Sequence, residues 1–123
     1  MLMAALIFNL VVLVPVLVSL ASGAAGLDAA FGPDTDARRI LASVYAAIGI
    51  VSAGLIALHV AQHPWAVPMT VALFAVQITY KLTTVVTVGL GSPVVITNLV
   101  VVAVQAAALA ALAFDTYAGS ALR

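Results

Sequence analysis

The chain has 123 residues, of which 66% are apolar, four are basic and four acidic, with a formal net charge of zero. Its mean hydropathy of +1.32 is more apolar than a domain can present to water and identifies an integral membrane protein. Sparse, balanced charge excludes a nucleic-acid footprint, and the absence of cysteine excludes disulfides, thiolate metal sites and cysteine nucleophiles.

A helix needs about 20 residues to cross ~30 Å of hydrocarbon, and the sequence holds four apolar runs of that order. They are continuous rather than alternating, so helices are predicted and not barrel strands. The expected fold is all-α: one domain over residues 1–123, an up-down-up-down transmembrane four-helix bundle with helices near 2–21, 37–62, 66–88 and 94–116.

The first run contains Asn9, Pro15 and Ser19. Pro15 removes one backbone hydrogen bond and predicts a kink. Ser22, Gly23, Ala24 and Ala25 resemble a signal-peptidase site, but nothing basic precedes the run except the amino terminus, so a retained span is expected. The connection over 23–36 carries Asp28, Asp34, Thr35 and Asp36, with Phe31-Gly32-Pro33 as a turn. Asp34 or Asp36 is expected to cap the second helix, where a carboxylate also meets the positive end of the helix dipole.

In the second run Tyr45, Gly49, Ser52, Ile56, His59 and His63 recur at alternating spacings of four and three and share one face. Pro64 is predicted to stop this helix. His59 and His63 stand at i and i+4, a separation at which two imidazoles can share a metal, but no cysteine or acid within the helix completes a set. With two histidines in the chain, a haem would need a non-histidine second ligand from another helix. Beside Trp65, both histidines are expected to anchor the membrane interface.

The third run carries Thr70, Phe74, Gln77, Lys81 and Thr84 at spacings of four, three, four and three, a mostly polar stripe on an otherwise apolar rod. Lys81 is the charge that cannot reach either end. Such a charge costs about 2.5 to 3.5 kcal/mol near the centre of the hydrocarbon, so the stripe is expected to face protein. Gly89-Leu90-Gly91-Ser92-Pro93 then forms a turn into the fourth run, where Asn98 and Gln105 share a face. Asp115, Thr116 and Tyr117 are expected to mark the exit into the headgroups, and the tail from Ala118 to fray.

Let side A be the side on which the chain starts, and side B the other. Counting residues along antiparallel spans puts Asn9, Ser52, Gln77 and Gln105 near mid-membrane, and Ser19, Tyr45, Lys81 and Asn98 roughly 6 to 9 Å closer to side B. The binding candidates are therefore Lys81, Gln77, Thr84, Tyr45, Ser52, Asn98 and Gln105. The second layer contains a lysine and no acid, so a carboxylate, an anionic ligand or lipid headgroup, or water is expected beside Lys81, and Asp34 or Asp36 could dip from the side-B loop to supply the carboxylate. Arg38 and Arg39 on side B, against Arg123 on side A, lean toward a cytoplasmic side B.

The pattern Leu27-Asp28-Ala29-Ala30-Phe31-Gly32, then Ala37-Arg38-Arg39 leading into Tyr45-Ala46-Ala47-Ile48-Gly49, resembles the DoxX-like four-helix membrane proteins. An acidic or arginine-bearing third span, seen in parts of that group, is here replaced by Gln77 and Lys81. The resemblance implies an accessory subunit in a bacterial-type inner or plasma membrane, since some members are associated with quinol or thiosulfate oxidation. Two functions compete. One is an auxiliary bundle that holds a quinone or lipid, as a homo-oligomer or as a subunit of a larger complex. The other is a small oligomeric transporter or channel with Lys81 as a charged gate. No Ser-His-Asp set, intramembrane carboxylate pair or complete metal set can be assembled for an enzyme.

Overall fold

The computed structural model describes residues 1–121. Helices take up 84% of them and no strand occurs among them, which fixes the fold class as all-α. In chain order the helices are α1 (Leu2–Ser22), α2 (Leu27–Phe31), α3 (Asp36–Val60), α4 (Ala66–Thr87) and α5 (Pro93–Ala121). The four long ones are each long and apolar enough to cross a membrane, so the chain is a multi-pass membrane protein. α1 continues through Pro15. α5 runs beyond the expected exit near 116, through Asp115 and Tyr117 to Ala121; of the tail expected to fray, Leu122 and Arg123 lie outside the described residues.

Two local features depart from the expected pattern. The connection over 23–36 contains α2, a single helical turn bracketed by Gly26 and Gly32 at φ of 86° and 76°, backbone angles that favour glycine. α3 ends at Val60 rather than near 62, in a Schellman motif: the His63 amide donates to the Leu58 carbonyl at 2.9 Å and the Gln62 amide to the His59 carbonyl at 3.1 Å. Gln62 supplies the required left-handed residue, with φ of 53°. His63 is therefore outside the helix, and the expected i, i+4 pairing of His59 and His63 on one helical face does not form. The cap of α3 is also corrected. Thr35 occupies the N-cap position without a side-chain hydrogen bond, and Asp36 sits in the first turn, where the helix dipole favours its charge.

α1 packs on α3 and α5, and α4 packs on the same two, which closes a ring of four antiparallel neighbours. Gly49 lies against Leu13 and Leu17 of α1, where a Cβ would make ordinary van der Waals contact at 3.4 and 3.8 Å. The ring has polar groups inside and apolar groups outside. Asn9, Ser52, Thr70, Gln77, Lys81, Asn98 and Gln105 are buried, while Val11, Ile50, Val76, Val86 and Val100 are exposed. These exposed apolar positions are surface suited to lipid, while half-buried residues such as Ile56, Leu73 and Val104 pack against the interior. Toward side A the interior changes character. Leu2, Ala5, Leu6, Leu55, Phe74 and Ala108 form an apolar cluster, with Leu6 and Phe74 at 0% exposure.

Candidate functional site

Lys81 stands on the inward stripe of α4, one turn from Gln77 and six residues before Thr87, the last residue of α4. At about 1.5 Å per residue its Cα lies ~9 Å inside the bundle. Only 6% of the residue is exposed. Nζ donates to Asn98 Oδ1 on α5 at 2.8 Å and lies 5.0 Å from the centroid of the Tyr80 ring. Asn98 Nδ2 reaches toward Thr84 Oγ1 at 3.5 Å, and the Thr84 hydroxyl donates to the Lys81 carbonyl at 2.6 Å. Lys81, Asn98 and Thr84 are thus brought into one network, as the shared faces predict.

Among the described residues no carboxylate is within ion-pair distance of Lys81. Neither loop aspartate dips to meet it: Arg39 takes Asp34, and Asp36 stays in the first turn of α3. Asp34 is engaged by the Arg39 guanidinium through two contacts of 3.2 Å. That hydrogen bonding, reinforced by the Arg39 charge, holds the Asp34 carboxyl below the usual aspartate range. Arg38, 9% exposed, donates from Nη1 to Asp28 Oδ1 at 2.6 Å and to the Gly32 carbonyl at 2.8 Å. Arg38 thereby straps α2 to α3.

Beside the ammonium is a cavity of about 200 Å³ to which all five helices contribute. α1 supplies Val12, Leu13 and Val16, α2 supplies Ala30 and Phe31, α3 supplies Tyr45, and α5 supplies Pro93, Val94, Thr97 and Asn98. Its walls are mostly aliphatic and aromatic, and its polar lining consists of Lys81, the Asn98 bonded to it, Tyr45 and Thr97. Strapping by Arg38 is what sets Ala30 and Phe31 over this space. Sequence reasoning picked out Lys81, Tyr45 and Asn98 but missed α2, Val12 and Val16. The Leu27–Phe31 spacing of four between two glycines was the available signal for α2; the valines carried none.

The mid-membrane layer divides. Asn9 Nδ2 donates to Ser52 Oγ at 3.0 Å across α1 and α3, so Ser52 pairs with Asn9 rather than with the glutamines. Gln77 and Gln105 are 1% and 0% exposed, and both polar atoms of each carboxamide lack a hydrogen-bond partner. Ser19 is half-buried and takes no part in the Lys81 network; its carbonyl accepts from the Ser22 hydroxyl at 3.2 Å. Near side A the Thr70 hydroxyl donates to the Ala66 carbonyl at 2.7 Å, which uses its proton. The 3.0 Å contact of Thr70 Oγ1 with His59 Nε2 is therefore a bond donated by the imidazole. His63 Nδ1 accepts the Trp65 amide at 3.3 Å. Each histidine is thus engaged locally, and no three metal-ligating side chains converge among the described residues.

No family model, no curated protein and no solved structure matches the chain.

Proposed function

We propose that this protein is a membrane bundle that binds a small hydrophobic ligand, a quinone or a lipid, in the cavity beside Lys81. One observation carries the reading: a lysine ammonium, partnered among the described residues by a neutral amide and no acid, faces an apolar cavity within the span. A buried charge of this kind calls for a compensating acceptor, and intramembrane ionisable residues mark sites more often than packing. The resemblance to DoxX-like proteins adds an accessory role in a larger complex of a bacterial-type membrane to the same proposal. A pore through one chain fits less well, because the apolar cluster around Leu6 and Phe74 interrupts the polar interior between Gln77 and side A.

The test is thermal unfolding of delipidated protein in a neutral detergent. Addition of a short-chain quinone or a single-chain lipid is expected to raise the midpoint of the native protein with concentration, as mass action requires of a ligand that binds only the folded state. Lys81→Met, which retains the apolar stem and removes the charge, is expected to abolish the rise. No shift with any amphiphile would defeat the proposal.

A further inference from the structure

We infer that the ligand class is a single-chain monoanionic carboxylate, an amphiphile of the fatty-acid type whose head pairs with Lys81; the inference rests on the cavity reading above. The charge count comes first. Arg38 is committed to Asp28 and the Gly32 carbonyl and Arg39 to Asp34, so of the cations on side B only Lys81 faces the cavity. One positive charge matches a head of charge −1; a doubly charged phosphate monoester would leave one negative charge buried without a partner. A neutral quinone carbonyl would accept a hydrogen bond but leave the ammonium uncompensated.

Depth and size narrow the class further. With Lys81 ~9 Å inside the end of α4, the head must enter a space walled by Val12, Val16, Phe31 and Val94. A phosphodiester head would carry its glycerol and second chain into that wall, where hydroxyl and ester groups find few partners. A cavity of about 200 Å³ is smaller than the roughly 300 Å³ or more of pockets that enclose a whole drug-sized ligand. It takes a carboxylate and the first carbons of one chain, and leaves the remaining chain to lipid. The two carboxylate oxygens can accept from the free Nζ donors of Lys81 and from the Tyr45 phenol, which lines the cavity and makes no hydrogen bond within the described residues. Such charge-assisted bonds are about twice as strong as neutral ones.

The experiment measures equilibrium binding to the full chain in a neutral detergent, using a 16-carbon fatty acid, the fatty alcohol of equal length, a short-chain quinone and phosphatidylglycerol as probes. The acid is expected to bind the native protein about tenfold or more tightly than the alcohol, and ahead of the other two. Lys81→Met is expected to bring the acid down to the level of the alcohol, while Tyr45→Phe weakens the acid alone by a few-fold. If the alcohol matches the acid on the native protein, or the quinone or phosphatidylglycerol binds best, the carboxylate inference falls and the cavity reading stands. If none of the four binds saturably, both fall. The comparison of acid with alcohol on native protein requires no variant to fold.

Discussion

Lys81 and Asn98 depend on each other, and their mutual dependence can be measured. Asn98 Oδ1 accepts the ammonium proton at 2.8 Å in a buried setting. Asn98→Leu would leave that donor without its protein partner, and the expected loss is about 1 to 3 kcal/mol. Lys81→Met placed in the same background removes the orphaned charge and is expected to recover most of the loss, since replacing both partners of a buried polar pair by apolar groups is often close to neutral. Detergent-unfolding midpoints of the two single variants and the double variant give the coupling. Strict additivity would show that the two side chains do not interact. This pair was legible in the sequence because a charge at that depth has few neighbours it can tolerate, and helical spacing put Asn98 on the facing side. What it pairs with beyond Asn98 was not legible. Asp34 and Asp36 were the nearest acids by residue count, yet Arg39 in the first turn of α3 lies closer to Asp34 and offers it an exposed ion pair, and Asp36 stays in that same first turn.

Among the elements, the ends of the helices were less readable than their interiors. Periodicity locates α3 and α4 by their buried faces, but the stop of α3 depends on one residue adopting a left-handed conformation, and glutamine does not advertise it. Gln62 holds φ of 53°, a conformation that costs an L-residue with a Cβ about 1 to 2 kcal/mol. Gln62→Gly is therefore expected to raise the unfolding free energy by about 1 kcal/mol, with Gln62→Val moving it the other way. An unchanged midpoint for Gln62→Gly would mean that the strain is relieved elsewhere in the turn. The loop before α3 gives a second test, through pH. The Asp34 carboxyl is held below its ordinary range by Arg39, so its contribution is present above the unfolded-state value near 4 and is lost as pH falls through the lower folded-state value. The protection factor of the Arg39 amide, which donates to the Thr35 carbonyl at 3.1 Å, should fall on acidification below about pH 4, and Asp34→Asn should show the lower protection already at neutral pH. Because the pair is exposed, the effect should shrink in high salt.

For the molecule as a whole, the decisive asymmetry runs along the bundle axis. Side B holds the cavity, with Thr97 exposed on its rim and Tyr45 buried in its wall; the middle holds the glutamines and the Asn9–Ser52 bond; side A is closed by the apolar cluster. The polar stripe of α4 was readable from spacing alone, whereas the closure was not. Leu6, Leu55 and Ala108 look like lipid-facing residues until three-dimensional packing turns them inward, since in a membrane protein an apolar side chain carries no information about which way it faces. The native absence of cysteine makes the asymmetry directly measurable. Single substitutions Thr97→Cys, Leu55→Cys and Ala108→Cys, each in the full chain in proteoliposomes, can be exposed to a small polar thiol reagent from either side. Thr97→Cys is expected to react from side B. Leu55→Cys, 2% exposed in the native chain, is expected to resist from both sides, because a thiol in a dry apolar cluster is neither hydrated nor ionised; Ala108→Cys, on the wall of a side-A cavity with His59 and Asp115, is expected to resist from side B. That outcome describes a dead-end pocket suited to holding a ligand. Reaction of Ala108→Cys from both sides would mean that water passes the Phe74 level, and a conducting path would then displace binding as the better account of Lys81.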